Sequence, residues 1–152
     1  MPKLDIDAIP LRTGSYYPAE FVPPVQGRSS RSLGDAGGLT QFGVRICYLD
    51  PGAWSSQRHW HEQEDEFVMA LTGDLVLIDN AGEQPLRPGE CAAFKAGDGN
   101  GHKIVNRSSA PGSFLVVGTR SPVDRAHYPD IDLVMNKDAD GVRYTHRDGT
   151  PY

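Results

Sequence analysis

The sequence predicts an all-β domain built as a sandwich or a barrel. Short apolar runs of strand length recur from residue 42 to residue 119, and almost none of them shows the apolar period of a helix. Glycine and proline mark the turns between these runs, as in Asp50-Pro51-Gly52 and Arg87-Pro88-Gly89. Regularly spaced short strands with turns of this kind are typical of sandwiches and barrels.

The elements follow in order along a chain whose 152 residues suit one domain. Five prolines interrupt residues 1–41, but Tyr16, Tyr17 and Phe21 are apolar, so we expect an irregular arm packed on the barrel or on a partner subunit. A partly disordered leader is the alternative. The predicted core, residues 42–119, contains the strands 42–49, 54–61, 66–71, 75–79, 90–94, 102–107 and 113–119. A polar extension, residues 120–152, should pack on the barrel with a hairpin of 131–135 and 142–147.

Composition narrows the classes of partner. The net charge is −5, the mean hydropathy is −0.45 and no basic cluster stands out, which argues against nucleic acid. The apolar runs are too short to span a bilayer, and no signal-peptide core precedes them, so we expect a cytoplasmic protein without a membrane partner. Cys47 and Cys91 lie in apolar runs and are expected to be buried reduced thiols, although a disulfide between them stays open.

Two histidines, His59 and His61, are the first candidates for chemistry. Alternate side chains of a strand share one face, so the two imidazoles would project together and could begin a metal site. Exposed histidines on a polar strand are the alternative. Glu66 has the wrong parity for the same strand, but a turn through residues 62–65 would return it on the next strand and give a hairpin with ligands on both arms. A third histidine, His102, follows a glycine-rich stretch about forty residues later.

These residues resemble the two motifs of the cupin superfamily. The first motif, G-x5-H-x-H-x3,4-E-x6-G, is matched by Gly52, His59, His61, Glu66 and Gly73, with one extra residue before His59. The second, G-x5-P-x-G-x2-H-x3-N, is matched by Gly89, Gly97, His102 and Asn106. In the second motif Lys95 replaces the proline, and two extra residues precede His102.

The resemblance implies a jelly-roll barrel, a double-stranded β-helix, that holds one divalent transition metal. Its ligands would be His59, His61, Glu66 and His102, directed into the lumen. A site rich in nitrogen suits Fe, Mn, Ni, Cu or Zn, and the ligand types do not choose among them. Four protein ligands leave one or two open positions, as a catalytic site requires. Similar cupins commonly pair, so a homodimer is expected, with the apolar N-terminal arm as the segment that crosses over to the partner.

Residues on strands beside the ligands are candidates for binding a small polar or anionic molecule. These are Arg45, Tyr48, Trp54, Phe94 and Phe114. Arg45 can hold a carboxylate through two parallel hydrogen bonds, although a solvated arginine at a strand edge is the alternative. The favoured function is a metal-dependent oxygenase, isomerase, lyase or decarboxylase, and the alternative is a non-catalytic module that binds a sugar or an organic acid.

One further pattern and two further histidines are expected to carry no chemistry. Residues 136–141 resemble the first half of a calcium loop, but Arg147 stands where its glutamate should be, so a hairpin turn is expected instead. His127 and His146 lie outside both motifs and are expected on the surface or in packing contacts, with a position at the pocket mouth as the alternative.

Overall fold

The computed structural model describes residues 3–152, which form thirteen strands in three antiparallel sheets. The strands are β1 Arg12–Thr13, β2 Arg28–Ser32, β3 Phe42–Leu49, β4 Trp60–His61, β5 Glu66–Thr72, β6 Leu75–Asp79, β7 Gly82–Leu86, β8 Cys91–Phe94, β9 Lys103–Asn106, β10 Gly112–Thr119, β11 Asp124–Tyr128, β12 Leu133–Asp138 and β13 Gly141–Thr145. The helical segments are α1 Leu33–Ala36 and the 3-10 turns Ala19–Phe21 and Pro23–Val25.

Two of the sheets enclose the main core. The larger has the order β1-β2-β3-β10-β5-β8, and the smaller has the order β7-β6-β9. Apolar side chains from both sheets fill the space between them: Cys47, Leu49, Val68, Ala70, Phe114 and Val116 from the larger sheet, and Leu75, Leu77, Leu86 and Ile104 from the smaller one. Each large aliphatic side chain buried there contributes about 1.5–3 kcal/mol. The predicted all-β jelly roll is confirmed.

The register of the larger sheet defines an inner and an outer face. Cys47 of β3 lies opposite Phe114 of β10, and both belong to the core. Because side chains alternate along a strand, Arg45 shares the inner face with Cys47, and Glu66 of β5 shares it with Val68. The larger sheet therefore carries Arg45 and Glu66 toward the same end of the barrel interior.

The C-terminal extension forms the third sheet, with the order β13-β12-β11-β4. Its buried side chains are Ala126, Tyr128, Leu133 and Met135, and Tyr17, Phe21, Ile131 and Tyr144 pack against them. The predicted hairpin is confirmed as β12 and β13, whose turn pairs Asp138 with Gly141. The strand β11 was not predicted, yet it pairs with β4 in the first motif and so joins the extension to the ligand segment.

The N-terminal arm is more regular than predicted. β2 pairs with β3 along five residue pairs, and β1 adds to β2, so the arm widens the larger sheet. Arg31 fixes the start of the arm, because its guanidinium donates to the carbonyls of Ile6, Asp7 and Ile9. The arm thus packs on its own barrel, the first of the two expected arrangements.

Three local predictions need correction. The strand expected at 54–61 is reduced to β4, preceded by the isolated bridges Trp54–Val105 and His59–His102. The strand β7 was missed because its residues are exposed, apart from Leu86. Cys91 is exposed and unpaired rather than buried, because β8 is an edge strand and Cys91 lies on the face opposite to Phe94.

No helix within residues 3–152 is long and apolar enough to cross a membrane.

Candidate metal centre

Four side chains predicted as metal ligands converge at one point in the barrel. Oε2 of Glu66 lies 3.3 Å from Nε2 of His102 and 4.0 Å from Nε2 of both His59 and His61. The rings of His59 and His61 are 4.9 Å apart between centroids, and those of His59 and His102 are 5.1 Å apart. All three imidazoles therefore present the same nitrogen to one carboxylate.

Backbone pairing sets the positions of the histidines. His59 and His102 exchange two backbone hydrogen bonds, of 3.1 Å and 2.9 Å, so the two motifs are joined directly at their ligands. His61 lies two residues after His59 and returns to the same side. The glycine-rich loop before His102 is held by Asn80, whose side chain donates to the carbonyl of Gly99. The two-residue insertion thus leaves Nε2 of His102 within reach of Glu66, although of the four side chains it is His59, His61 and Glu66 whose ligand atoms all lie within 4.8 Å of one another.

Glu66 lies in a different sheet from His61, and not on a hairpin with it as predicted. The predicted hairpin of its strand with the histidine strand is not present, because β4 pairs with β11 while β5 pairs with β10 and β8. The segment from residue 62 to residue 65 crosses between two sheets rather than closing a turn within one. Glu66 still reaches the centre, because it is the first residue of β5 and lies on the inner face of the larger sheet.

Hydrogen bonds to the far nitrogens orient two of the imidazoles. Nδ1 of His59 lies 2.9 Å from the carbonyl oxygen of Gln57, and Nδ1 of His61 lies 2.6 Å from Oδ2 of Asp124. Carbonyl and carboxylate oxygens are hydrogen-bond acceptors, so Nδ1 must be the donor and carry the hydrogen in both rings. Nε2 of each ring therefore keeps its lone pair for a metal. Nδ1 of His102 faces the carbonyl oxygen of Asn100 at 3.4 Å.

Asp124 is the most buried polar partner of the centre, with a side chain that is 0% exposed. Its other oxygen accepts the backbone N–H of Gln63 at 2.9 Å. Burial raises the pKa of Asp124, but its hydrogen bonds from His61 and Gln63 outweigh burial, and the pKa is lowered. The carboxylate is therefore charged and fixed beside His61.

Gln57 connects the N-terminal arm to His59. Its backbone N–H lies 3.3 Å from the hydroxyl of Tyr17, and its side-chain amide donates to the carbonyl of Phe21 at 2.9 Å. Tyr17 also packs edge-on against Tyr128, whose ring stacks on His59 at 5.7 Å. The arm thus holds the residue whose carbonyl orients His59.

The electrostatics of the cluster favour a bound cation. Burial raises the pKa of Glu66, but His102, His59 and Arg45 more than reverse this, so its pKa lies well below the usual range. Burial and repulsion from His61 and His102 lower the pKa of His59 to about 3. A charged carboxylate beside a neutral imidazole is the state in which both bind a metal.

The donor set fits a divalent transition metal. Three imidazole nitrogens and one carboxylate oxygen are the ligands that such ions take, and the second layer of hydrogen bonds aims two of the nitrogens at the centre. The structure also brings His61, Glu64 and Asp124 within 4.8 Å of one another. There, however, Lys137 supplies the positive charge, because its ammonium lies 2.7 Å from Glu64.

An open cavity of about 390 Å³ adjoins the centre at His61 and Glu66. Four basic and four acidic side chains line it: Arg12, Arg45, Arg120 and Lys137, and Asp35, Glu64, Asp65 and Glu66. Ser32 and Thr119 add hydroxyl groups. A cavity with this lining suits a small charged or hydroxylated molecule better than an apolar one.

The structure divides the five residues predicted to bind substrate. Arg45 lines the cavity, Phe94 lies parallel to the His102 ring at 3.5 Å, and Phe114 is buried deeper in the core. Tyr48 differs from Arg45 by three positions on β3 and so lies on the outer face. Trp54 packs under the Lys103 ammonium, which is 3.1 Å from the ring centroid, and not in the cavity. The structure therefore brings Arg45 and Phe94 to the centre, and leaves Tyr48 and Trp54 away from it.

Several site residues were not identified in the sequence. Arg12, Asp124, Tyr128 and Lys137 lie in the arm or in the extension, where no motif spacing marks them. His127 and His146 lie outside the centre, because their rings contact Glu62 and Asp132 instead. The absence of any motif around these residues explains why the sequence did not identify them.

Comparisons with known proteins agree with the fold. The family model described as a cupin domain matches residues 45–118. The chain is similar to the crystal structure of a sugar phosphate isomerase from a cupin superfamily, from Silicibacter pomeroyi, with 56% identity over 99% of this chain and 96% of that chain and a TM-score of 0.97. No curated protein matches the sequence significantly.

Two further structures are more distant. A putative sugar phosphate isomerase from Acidithiobacillus ferrooxidans is 27% identical over 82% of this chain and 80% of that chain, with a TM-score of 0.75. A predicted oxalate decarboxylase from Thermotoga maritima is 22% identical over 78% of this chain and 99% of that chain, with a TM-score of 0.62. The last comparison supports the fold alone.

Proposed function

The chain belongs to the cupin superfamily, and we propose that it is a metal-dependent isomerase of a sugar phosphate. The observation that carries the proposal is the convergence of three imidazole Nε2 atoms on Glu66, at the wall of a cavity lined by four basic side chains. The similar protein from Silicibacter pomeroyi is called a sugar phosphate isomerase, and its likeness extends over almost the whole of both chains.

His59, His61, Glu66 and His102 would hold one divalent transition metal. When bound, such an ion polarises a carbonyl oxygen and makes the neighbouring C–H bond more acidic. The protein's part is to keep the imidazoles in the correct tautomer through Gln57 and Asp124 and to shield the centre with Phe94.

Isomerisation of an aldose to a ketose also needs a group that moves a proton between two carbons. In this step the proton on carbon 2 leaves to a base, and its electron pair forms the double bond of an enediol while the carbonyl π pair moves onto the oxygen of carbon 1. The proton then returns at carbon 1 as the carbonyl group forms at carbon 2. The hydroxyl hydrogen passes from the oxygen on carbon 2 to the oxygen on carbon 1, so no oxidant or reductant is consumed.

Glu64 is the residue that we assign to this proton transfer. It lines the cavity beside His61 and Glu66, and its side chain is 16% exposed. Its Oε1 accepts from the Lys137 ammonium at 2.7 Å and from the backbone N–H of Ser121 at 3.0 Å. Oε2 accepts no hydrogen bond from residues 3–152, so one oxygen anchors the carboxylate and the other is free to meet substrate.

Arg45 is the substrate anchor of the proposal. It shares the inner face with the core residue Cys47 and lines the cavity together with Glu66. A guanidinium in this position binds an anionic group or an enediol oxygen through parallel hydrogen bonds. Of the residues predicted to bind substrate, Arg45 is therefore the one that would contact substrate, while Phe94 packs on the ring of His102.

The test is turnover of a set of aldose and ketose phosphates of different chain lengths in D₂O. Protein reconstituted with Fe, Mn, Ni or Zn should interconvert at least one pair and introduce deuterium beside the carbonyl, as seen by NMR, and chelated protein should not. Substrate bound tightly, with and without chelator, but never turned over would overturn the proposal and favour a binding module. Light scattering of the same samples would check the expected homodimer.

A further inference from the structure

Two of the four basic side chains of the cavity form ion pairs with carboxylates, and two do not. Arg120 is paired with Asp35, and Lys137 is paired with Glu64. Arg12 and Arg45 form no ion pair within 4.0 Å with any carboxylate in residues 3–152, and Arg45 acts on Glu66 only from a longer distance. The two unpaired guanidinium groups are thus available to an anion that enters the cavity.

The sheet register places these two arginines on the same face. Arg12 lies opposite Ser30, which lies opposite Cys47 of the core, and Arg45 lies opposite Ser32. Arg12 and Arg45 therefore both extend from the inner face, on β1 and β3, with only β2 between them. Strands two places apart are separated by about 10 Å, a gap that two long side chains can bridge through a shared ligand.

The overall charge of the lining points to a doubly charged ligand. Four basic and four acidic side chains balance each other, so a divalent metal on the ligand set leaves the cavity with a charge of about +2. A phosphate monoester carries about −1.5 to −2 at neutral pH and offers three acceptor oxygens. The hydroxyls of Ser32 and Thr119 are further donors in the same cavity.

We infer that Arg12 and Arg45 form the subsite for the phosphate group of the substrate, with Arg12 supplied by the N-terminal arm. The inference rests on the proposed function for the sugar, but phosphate binding itself can be measured without any turnover. It gives the arm a role in recognition, since β1 would contact the phosphate directly. Substrates with a phosphate would bind better than the same sugars without it.

The experiment is calorimetric titration of metal-loaded protein with inorganic phosphate. Arg12→Gln and Arg45→Gln should each weaken binding by about tenfold to a hundredfold, because each removes charged hydrogen bonds to the anion. Arg45→Lys should fall between wild type and Arg45→Gln, because it keeps the charge but loses the planar fork. Arg87→Gln is the matched control, since Arg87 is exposed outside the cavity and pairs only with Glu90.

The outcomes separate this inference from the proposed function. Phosphate binding that both glutamine variants weaken, in a protein without isomerase activity, would keep the subsite and reject the function. Wild-type protein that does not bind phosphate, or variants that bind it as tightly as wild type, would overturn the subsite even if isomerase activity is found. Circular dichroism of each variant would confirm that binding is lost by a folded protein.

Discussion

The carboxylate of Asp124 lies 2.6 Å from Nδ1 of His61, although 63 residues separate them in the sequence. The contact forms because β11 of the C-terminal extension pairs with β4, where Ala126 lies opposite His61. The extension therefore contributes to the candidate metal centre from outside the matched cupin segment, which ends at residue 118. It is part of the site and not an appendage to the barrel.

Asp124→Asn should weaken metal binding by about tenfold to a hundredfold, because an amide no longer provides the charge that makes His61 a strong ligand. Competition with a chelator would measure the affinity. Asp138→Asn is the matched control, since Asp138 pairs with Arg143 on the exposed hairpin. Equal metal affinities in both variants would contradict a role for Asp124 in positioning His61.

His102→Ala tests whether the altered second motif still delivers its ligand. Wild-type protein should hold about one transition-metal ion per chain, as a mononuclear site does, and the variant should retain less than about a tenth of it after dialysis. Elemental analysis of tag-free protein gives both values. His146→Ala, which removes a histidine bound to Asp132, should keep its metal. Full occupancy in His102→Ala would exclude His102 as a ligand.

The convergence of the four proposed ligands was predictable from the two motifs. His59, His61 and Glu66 keep the motif's spacing from one another, and the fold brings them to His102 despite the extra residues before His59 and before His102. The apolar strands β5, β6 and β10 were predictable for a similar reason, since each is an apolar run closed by a turn. Local sequence patterns were therefore sufficient for features that depend on neighbouring residues, such as strands and turns.

Residues that act across the fold were not predictable. Arg12 and Asp124 reach the site through the pairings of β1 with β2 and of β11 with β4, and no spacing in the sequence encodes these pairings. The placement of Tyr48 was different, because its separation from Arg45 by three residues already puts the two on opposite faces of one strand. The alternation of side chains along the strand was thus the signal that could have excluded Tyr48 from the face that carries Arg45.

Glu64→Gln should abolish isomerisation and the exchange of deuterium into substrate, because an amide cannot take a proton from carbon. We expect a loss of activity of at least about a hundredfold with metal content unchanged. Glu62→Gln is the control, since Glu62 pairs with His127 away from the cavity lining. Proton exchange at the wild-type rate in Glu64→Gln would assign the proton transfer to another group.

Gly73→Ala should destabilise the barrel at the turn between β5 and β6. Gly73 has a φ of +83°, and a Cβ built on it would lie 2.7 Å from Cα of Gly112 and 3.0 Å from the carbonyl of Pro111. Backbone strain and a clash with backbone atoms should together cost at least about 2 kcal/mol in the free energy of unfolding. Denaturant unfolding would measure it.

The control for this change is Gly52→Ala, at a turn with the same φ of +83° and open space where the Cβ would lie. It isolates the backbone strain without the clash and should cost less. Equal losses in the two variants would show that the contact with Gly112 does not constrain the turn.

Tyr144 should make the protein sensitive to alkali. Burial, followed by repulsion from Tyr17, raises its pKa to about 12, whereas an unfolded tyrosine titrates near pH 10. Below pH 10 both states keep the proton, so the contribution of Tyr144 is fully present. Between about pH 10 and pH 12 only the unfolded chain loses the proton, and stability falls by up to about 1.4 kcal/mol per pH unit.

Urea unfolding of metal-free protein at pH 8, 10 and 11 would measure this fall, and Tyr144→Phe should reduce its slope. Part of the slope should remain, because burial also raises the pKa of Tyr17 and of Tyr128 in the same cluster. Tyr16→Phe is the control, since Tyr16 is 93% exposed and its loss should leave the slope unchanged. If Tyr144→Phe lost stability as steeply as wild type, Tyr144 would not be a source of the sensitivity to alkali.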